Sequence, residues 1–330
     1  MKAIAYGVRD DEIIMFKNWG KHYGIELFLI QENLREHNID KAKGFDTIIF
    51  LAEDTMNASI LDKVKEFGMN YIVTRSTGVD NVDLEYAKKL KIRLANVPSY
   101  SPNSVSEYAI LSTLSLLRNY HLYIKRVFNK NFTIKDLVAR EIRNQTIGII
   151  GTGTIGCLTV KHFAGFYPKS ILAYDMYEKE EVKKYAKYVS IDEIYNKSDV
   201  IVYHVPLTDE TKYMISNKNI QKMKDGVIIV NVSRGLVMNS RDTLEAIKNG
   251  KIGGLAMDVY ENELEYFRFD YTEKIIKDTV LVELLNLPNV IVSPHAAFYT
   301  DEAISNMVSI SLSNAKEFYD TGKSKNEVIK

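Results

Sequence analysis

The sequence predicts an α/β protein of two domains, each built on a doubly wound parallel sheet. The first observation is length, since 330 residues exceed the usual domain size of about 100 to 200 residues. The second is that two series of apolar runs alternate with amphipathic stretches, the pattern of βαβ units around a parallel sheet. The third is one helical stretch that separates the two series.

The first series occupies residues 1–100. Its strand-like runs are "KAIAYG", "IELFLI", "DTIIFLA", "NYIVTRS" and "IRLANV". Helical patterns lie between them, from Asp11 to His22, from about Ser59 and from Asn81. Apolar runs separated by helical patterns predict buried parallel strands.

One long helix is predicted for "SPNSVSEYAILSTLSLLRNYHLYIKRV". Ser101 or Asn103 is a suitable cap, with Pro102 in the first turn. The second series follows as "TIGIIG", "SILAYD", "YVSI", "DVIVYHV", "GVIIVNVS", "IGGLAMDVY" and "NVIVSPH". The tail from Thr300 predicts a last amphipathic helix that a glycine ends.

Composition narrows the classes of function. Lys plus Arg and Asp plus Glu each number 43, so no charge excess indicates a nucleic acid or an anionic membrane as partner. No run approaches the roughly 20 apolar residues of a spanning helix, and the N-terminus lacks the apolar core of a signal peptide. The single cysteine, Cys157, permits no internal disulfide, and no residue cluster indicates a metal site. These features predict a cytoplasmic protein whose partner is a small molecule.

The stretch "IGIIGTGTIG" places Gly151, Gly153 and Gly156 between a predicted strand and a predicted helix. In a dinucleotide-binding turn, the first glycine allows a tight turn, the second lets a pyrophosphate approach the backbone, and the third lets the helix pack on the strand. Thr154 and Ile155 would begin the helix, whose free amides attract phosphate. The alternative is a purely structural turn. Thr154 is neutral, so less positive charge lies beside the phosphate turn. We expect this to affect the affinity for the cofactor and not its identity.

Asp175 ends the next predicted strand, "ILAYD", 19 residues after Gly156. An acid at this place accepts hydrogen bonds from the adenosine ribose and repels a 2′-phosphate. The sequence therefore favours NAD over NADP, with a solvent-facing aspartate as the alternative.

Polar side chains also follow three later strands, where open parallel sheets bind ligands. Arg234 follows "VIIVNVS", and an arginine there is suited to hold a carboxylate through two hydrogen bonds. Asp258 and Glu263 lie in "AMDVYENE", and His295 follows "NVIVSP". Each alone has an ordinary structural explanation. Together, beside a nicotinamide site, they suit the oxidation of a 2-hydroxy acid, in which histidine takes the hydroxyl proton and a carboxylate orients its imidazole.

A turn of the first series is a second candidate binding site. In "IVTRSTG" a strand ends at Arg75, Thr77 and Gly78, whose amides are suited to an anion. We expect this turn to contribute to substrate binding.

These motifs resemble the D-specific 2-hydroxyacid dehydrogenases, and among them the fermentative D-lactate dehydrogenases. The resemblance covers essentially the whole chain. It rests on "VTRSTGVDNVD", "NVPSYSPNSVSEYA", "IGIIGTGTIG", "HVPLTDETKYMI", "MKDGVIIVNVSRG", "GGLAMDVYENE" and "LPNVIVSPHAAFYTDEA". It implies that Arg234, Glu263 and His295 are the catalytic residues.

The resemblance also implies the remaining sites and the layout. The implied cofactor residues, besides the glycine turn, are Asp175, Val205, Pro206, Val232, Ser233 and Asp258. The implied substrate residues are Thr77, Gly78, Tyr100 and Phe298, with Arg75 in the same turn as the first two. An NAD-binding, Rossmann-like domain of residues 101–298 would be inserted into a discontinuous, flavodoxin-like substrate domain of residues 1–100 and 299–330. Family members are typically homodimers, with contacts largely through the cofactor domain and its long first helix.

The choice of 2-oxoacid depends on the pocket for its side chain. Phe50, Leu51 and Ala52 end the third strand near the expected pocket, with Glu53 beside them. Such a pocket suits a methyl or alkyl group and offers no arginine for a second carboxylate. Phe298, a tyrosine in some relatives, also favours an apolar pocket. We therefore predict NADH-dependent reduction of pyruvate to D-lactate in fermentation. The alternatives are a larger 2-oxoacid (2-oxoisocaproate, phenylpyruvate or 2-oxoglutarate) and a non-enzymatic NAD-sensing protein on the same fold.

Overall fold

The chain divides into two compact units in the computed structural model, which describes residues 1–329. One unit combines Met1–Ser101 with the C-terminal segment from Tyr299, and the other is Pro102–Phe298. We call them unit 1 and unit 2. The middle of the chain thus forms a body of its own, and the two ends of the chain share the other.

Unit 1 begins with five strands and three helices. They are β1 (Lys2–Ala5), α1 (Asp10–Tyr23), β2 (Glu26–Leu29), β3 (Thr47–Phe50), α2 (Ala58–Glu66), β4 (Tyr71–Thr74), α3 (Leu84–Lys89) and β5 (Arg93–Ala95). These elements follow the alternation expected from the first series of apolar runs.

Unit 2 continues the alternation over nine helices and seven strands among its described residues. They are α4 (Pro102–Leu117), α5 (Tyr120–Phe128), β6 (Thr146–Ile150), α6 (Thr154–Ala164), β7 (Ser170–Tyr174), α7 (Glu180–Lys183), β8 (Lys187–Tyr188), α8 (Ile191–Lys197), β9 (Val200–Tyr203), α9 (Asn217–Ile220), β10 (Val227–Asn231), α10 (Ser240–Lys248), β11 (Ile252–Met257), α11 (Glu263–Tyr266), α12 (Thr279–Asn286) and β12 (Val290–Val292). The chain then returns to unit 1 with α13 (Asp301–Thr321) and β13 (Glu327–Ile329).

The sheet of unit 1 has the order β13-β5-β4-β3-β1-β2. Strands β1 to β5 are parallel in the flavodoxin-like order 2-1-3-4-5. Alternate side chains of these strands enter two cores, one with α1 and α13 and the other with α2 and α3. The C-terminal helix therefore completes the core of the N-terminal domain. Thr300 caps it and Gly322 ends it in the left-handed conformation, as the sequence predicts.

The sheet of unit 2 has the order β12-β11-β10-β9-β6-β7-β8, and all its strands are parallel. Counted from β6, this is the Rossmann order 3-2-1-4-5-6 with one further strand. The order reverses between β6 and β9, and such a reversal opens a crevice at the carboxyl ends of the strands. The predicted fold class is confirmed.

One expectation about the elements was wrong, and one strand was not predicted. The single long helix is two helices, because Asn119 adopts φ +53° between α4 and α5. Asparagine tolerates this left-handed conformation, and the apolar pattern runs through the break, so the pattern does not reveal it. Strand β13 was not predicted. It pairs antiparallel with β5, and the ion pair between Arg93 and Glu327 at 2.6 Å reinforces the pairing.

A helix that crosses a bilayer needs about 20 predominantly apolar residues. Among residues 1–329, no helix combines the length and the apolar character needed to cross a membrane.

Candidate active site

The glycine turn after β6 is shaped by two close approaches of backbone. Gly151 has φ +91°, and a Cβ on it would lie 2.7 Å from the carbonyl oxygen of His204. A Cβ on Gly156 would collide with the carbonyl of Gly151. Only glycine fits at either place. Because Gly151 follows β6 and touches His204, which follows β9, the turn lies at the reversal between these two strands.

The same turn is open on its outer side, where a ligand would approach. A Cβ on Gly153 would meet no atom within 4 Å. Gly153 and Thr154 are exposed, and α6 begins at Thr154. The first amides of a helix lack partners within the helix and attract anions. An exposed glycine at a helix N-terminus fits the pyrophosphate of a dinucleotide, so the residues present suit NAD.

Asp175 follows β7 beside this turn, and its carboxylate is held by backbone donors. Its Oδ2 accepts a hydrogen bond from the amide of Thr152 at 2.5 Å, and its Oδ1 accepts one from the amide of Tyr177 at 3.0 Å. The acid is thereby fixed next to the first glycine of the turn.

His204 follows β9 and borders Gly151 from the other side. Its Nε2 atom is buried and has no hydrogen-bond partner among residues 1–329. Burial penalises the charged imidazole and lowers the pKa of His204 to about 3. The imidazole is therefore neutral near pH 7. Val205, which is partly buried, and Pro206, which is exposed, continue the chain at the same edge of the sheet.

Arg234 lies in a tight turn after β10. Buried Asn231 organises this turn, because its side chain accepts from the amide and hydroxyl of Ser233 and donates to the carbonyl of Arg234. Val232 and Ser233 are buried, whereas Arg234 is partly exposed and donates from Nη1 to the Ser233 carbonyl at 2.9 Å. The guanidinium is thus presented by a turn whose own polar groups are paired.

Gly235 brings the Arg234 turn against the loop that follows β11. A Cβ on Gly235 would collide with the carbonyl carbon and oxygen of Tyr260. The backbone amide of Tyr260 in turn donates to Glu263 Oε2 at 3.0 Å. The turns after β10 and β11, which are neighbours in the sheet, are therefore in direct contact. Gly235 was not among the predicted site residues, although a glycine directly after Arg234 was the available signal.

Asp258 ties the loop after β12 to the end of β11. Its carboxylate is buried and accepts from the Ser293 hydroxyl at 2.6 Å and from the amides of Ala296 and Ala297 at 2.8 and 2.9 Å. Burial raises the pKa of Asp258, while the three hydrogen bonds oppose the shift. This aspartate fixes the segment that carries His295.

His295 and Glu263 form the central pair of the site. His295 Nδ1 lies 2.8 Å from Glu263 Oε1, and the side chains are 32% and 23% exposed. His295 has φ +54°, which is uncommon for a residue with a side chain, and its amide donates to the carbonyl of Asp258 at 2.8 Å. The ring of Phe298 stands edge-on to the imidazole at 6.4 Å and is itself buried. The histidine is reachable, paired and held by its loop.

The side chain of Arg75 does not have the expected role. It is fully buried, forms an ion pair with buried Glu12 at 3.4 Å, and donates to the carbonyls of Tyr6 and Gly7 at 3.0 Å each. A guanidinium without exposed surface cannot contact a substrate, so we withdraw its assignment as a substrate residue. It joins β4 to the turn after β1 and stacks on Phe16.

The other candidates of unit 1 lie in segments fixed by hydrogen bonds. Thr77 donates from its hydroxyl to the carbonyl of Val97 at 2.8 Å, and the Gly78 carbonyl accepts from Ser76 at 2.8 Å. The carbonyl of Tyr100 accepts from Asn306 on α13 at 2.8 Å. Thr77 is exposed, and Gly78 and Tyr100 are partly buried. Among residues 1–329, no group of three or more His, Cys, Asp or Glu side chains is arranged to hold a metal ion.

Known proteins are similar to this chain in sequence and in fold. Residues 110–297 match the family described as D-isomer specific 2-hydroxyacid dehydrogenase, NAD binding domain. An aromatic 2-oxoacid reductase of Clostridium sporogenes is 45% identical over 329 residues, which cover 100% of this chain and 99% of that protein. A D-lactate dehydrogenase of Lactiplantibacillus plantarum is 39% identical, with 99% of each chain covered.

The structure of a D-2-hydroxyisocaproate dehydrogenase superposes with a TM-score of 0.90 at 36% identity, covering 100% of both chains. The relatives thus differ in the 2-oxoacid or hydroxyacid that they are named for. The glycine turn, the acid after β7 and the full-length similarity agree with one another. The chain belongs to the D-isomer specific 2-hydroxyacid dehydrogenases and is an NAD-dependent oxidoreductase.

Proposed function

We propose that His295 is the proton donor and acceptor in the interconversion of a 2-oxoacid and its D-2-hydroxyacid. The observation that carries this proposal is the 2.8 Å contact between His295 Nδ1 and Glu263 Oε1. A carboxylate at Nδ1 fixes the orientation and the tautomer of the ring, which leaves Nε2 to exchange a proton with the substrate oxygen. In the reducing direction the protonated imidazole donates this proton to the carbonyl oxygen.

Arg234 binds the substrate carboxylate and polarises the adjacent carbonyl in this proposal. A planar guanidinium can hold a carboxylate through two parallel hydrogen bonds, which also orients the neighbouring carbonyl. The tightly bonded turn around Asn231 and the contact of Gly235 with Tyr260 support this role, because they hold Arg234 on the strand next to the Glu263 loop.

Bound NADH would supply the hydride that reduces the carbonyl carbon. We propose that unit 2 binds the cofactor through the turn after β6 and the ends of the neighbouring strands, and that unit 1 provides substrate contacts. The proposed cofactor residues are Gly151, Gly153, Thr154, Ile155, Gly156, Asp175, Val205, Pro206, Val232, Ser233 and Asp258. The proposed substrate residues, besides Arg234 and His295, are Thr77, Gly78, Tyr100 and Phe298.

For the substrate we propose pyruvate, so that the product is D-lactate. The D-lactate dehydrogenase relative at 39% identity supports this choice. A second candidate is an aromatic 2-oxoacid, which the reductase relative at 45% identity favours. Ala52, exposed directly after buried Phe50 and Leu51, has a small side chain that would leave room for a larger substituent. Both candidates have an apolar substituent.

A kinetic panel with NADH distinguishes these candidates. The rates with pyruvate, 2-oxobutyrate, 2-oxoisocaproate, phenylpyruvate and 2-oxoglutarate would be compared at equal concentrations, and the chirality of each product determined. We expect the highest kcat/KM with pyruvate, a D-configured product and the lowest value with 2-oxoglutarate. A higher kcat/KM with phenylpyruvate would transfer the assignment to the aromatic substrates. No oxidation of NADH with any 2-oxoacid would overturn the proposed chemistry.

We also propose that the protein is a homodimer that pairs through α5 and the segment after it. This surface exposes seven large apolar side chains: Tyr120, Ile124, Val127, Phe128, Phe132, Ile134 and Val138. Phe128 and Val138 are 88% and 93% exposed. A monomer rarely exposes such a patch, and a second copy would cover it symmetrically.

Sedimentation velocity tests the dimer. We expect the wild type to sediment as a dimer and Phe128→Asp to dissociate it. Ile275→Asp, at another exposed apolar residue of unit 2, serves as the control and should leave the mass unchanged. A monomeric wild type would refute the proposal.

The proposed setting is the cytoplasm, where reduction of pyruvate would regenerate NAD during fermentation. The single buried cysteine, which has no disulfide partner, supports this setting. Deletion of the gene in the source organism should lower secreted D-lactate, and unchanged D-lactate would contradict this role.

A further inference from the structure

The two oxygens of the Asp175 carboxylate are used unequally by the protein. Oδ2 accepts two hydrogen bonds from Thr152, one from its amide at 2.5 Å and one from its hydroxyl at 3.2 Å. Oδ1 accepts one, from the amide of Tyr177 at 3.0 Å. An ionised carboxylate offers about four acceptor positions in all. Oδ2 is therefore saturated, and Oδ1 keeps one position for a further donor.

The hydroxyl of Thr152 is itself part of a chain of hydrogen bonds. It lies 2.7 Å from the hydroxyl of Tyr188, which in turn accepts from the amide of Lys179 at 3.1 Å. Each hydroxyl has one proton to donate. If Thr152 gave its proton to Tyr188, its bond to Asp175 would be lost. The one direction that satisfies every group runs from Lys179 through Tyr188 and Thr152 to Asp175.

The fold places each member of this chain. Strand β8 consists of two residues, and its pairing with β7 sets Tyr188 opposite Ala173, two residues before Asp175. Thr152 is fully buried behind Gly151, and Tyr188 is partly buried. The hydroxyl of a tyrosine on the surface could form its hydrogen bonds with water and would need no such chain of protein partners.

We propose that Tyr188 is a positioning residue for the cofactor, acting through Thr152 to hold the Asp175 carboxylate with Oδ1 turned to the adenosine ribose. The inference rests on the proposed role of Asp175 as the ribose-binding acid. With the carboxylate held, Oδ1 accepts a ribose hydroxyl, and its charge repels a 2′-phosphate at the same place. Neither Tyr188 nor Thr152 needs to touch the cofactor through its side chain.

Loss of the Tyr188 hydroxyl has a specific consequence. Without its donor, the Thr152 hydroxyl is free to rotate, and Asp175 loses a partner that fixes its orientation. Affinity for NADH then falls, while affinity for NADPH, which gains nothing from an ordered acid, changes little. The preference for NADH over NADPH narrows. The chemical step, located at other strand ends, is unaffected once the cofactor is bound.

The experiment titrates NADH and NADPH into Tyr188→Phe and follows the fluorescence of the bound nucleotide. We expect the Kd for NADH to rise about three- to tenfold and the Kd for NADPH to change less than about twofold. The kcat at saturating NADH should stay near the wild-type value. Tyr185→Phe, an exposed tyrosine close by in the chain, is the matched control and should leave both affinities unchanged.

Two further variants make the outcome decisive. Thr152→Val should weaken NADH binding at least as much as Tyr188→Phe. The double variant should bind NADH no more weakly than Thr152→Val alone, because the two hydroxyls act in series. Additive losses would show independent roles and overturn the proposed chain.

Asp175→Ala separates this inference from the function on which it rests. If Asp175→Ala weakens NADH binding and Tyr188→Phe does not, the role of Tyr188 is refuted and that of Asp175 stands. If Asp175→Ala changes neither affinity, the ribose-binding role of Asp175 fails, and the inference fails with it.

Discussion

The ends of β4 and β10 carry the same residue type in opposite circumstances. Arg75 is fully buried, and its guanidinium is paired with Glu12 and two backbone carbonyls. Arg234 is partly exposed on a turn that Asn231 and Gly235 hold against the neighbouring strand end. Both arginines follow an apolar strand in the sequence. Their partners, not their position along the chain, lead us to assign Arg75 to the stability of the fold and to propose Arg234 as the substrate residue.

Two histidines repeat the contrast. His204 follows β9 with a buried Nε2 atom, and burial lowers its pKa to about 3. His295 follows β12 with Glu263 at 2.8 Å and a third of its side chain exposed. The buried, neutral imidazole of His204 cannot exchange a proton readily, whereas the imidazole of His295 is exposed enough to contact a substrate. We therefore expect substitutions of Arg234 and His295 to affect turnover. Substitutions of Arg75 and His204 should affect stability.

The largest expected effect is that of Arg234→Ala. It removes both the carboxylate anchor and the polarising donor, each worth about 10²-fold, so kcat/KM should fall by about 10⁴-fold while the midpoint of thermal unfolding stays the same. Arg234→Lys keeps the charge without the two-pronged geometry and should recover part of the rate. Arg241→Ala, at an exposed arginine of α10, is the control. Wild-type kinetics in Arg234→Ala would remove the distinction between the two arginines.

Arg75→Met should lower the stability of the fold and leave the chemistry intact. It leaves Glu12 buried with only Arg9, at 3.3 Å, as a charged neighbour. The free energy of unfolding should fall by about 3 kcal/mol, and turnover per folded molecule should persist. Chemical denaturation and an activity assay at low temperature measure the two quantities. A stable Arg75→Met protein with a strongly raised KM would restore the substrate role that the sequence first suggested.

Glu263→Gln tests the partner of the active histidine. The variant keeps the size of the side chain but replaces the carboxylate that holds His295 Nδ1 with a neutral amide, so kcat should fall by about 10²-fold with little change in NADH affinity. Glu261→Gln is the matched control two residues away, because Glu261 binds Ser240 and Tyr213 and not the histidine. Equal losses in both variants would indicate that loop structure, not the charge at His295, matters.

His204→Gln should have the smallest effect, visible only in acid. The folded pKa of about 3 lies below the value of 6.5 expected in the unfolded chain, so between these pH values the unfolded state binds a proton that the folded state does not. Stability is therefore lost as pH falls through this window. The variant removes that loss and should be more stable than the wild type by about 3 kcal/mol at pH 4. Urea denaturation of both proteins at pH 7 and pH 4 checks this prediction. An equal loss of unfolding free energy in the wild type and in His204→Gln would contradict it.

The sequence predicted much of unit 2 because its signals are local. Apolar runs followed at once by Arg234, Asp258 and His295 mark strand ends, and the glycine pattern marks the turn at the reversal of the sheet. The missed features depend on partners distant in sequence. Glu12, which explains Arg75, lies 63 residues away, and the bond of Tyr188 to Thr152 exists only because β8 pairs with β7.

Two structural misses have the same origin. Asn119 interrupts the long helix through a backbone angle that its side chain merely tolerates. Strand β13 is three residues long and gains its place from β5 and Arg93. In each case the local pattern is compatible with more than one structure, and tertiary contacts select one.

Turnover and NADH affinity in His295→Ala test the central claim most directly. With the best 2-oxoacid of the panel, kcat should fall by about 10³-fold or more, since a positioned acid contributes about 10² to 10⁴ to the rate and Ala also removes the partner of Glu263. The Kd for NADH, titrated in the same preparation, should remain within about twofold of the wild type. Near-normal turnover with intact NADH binding would contradict the assignment of His295 as the proton donor.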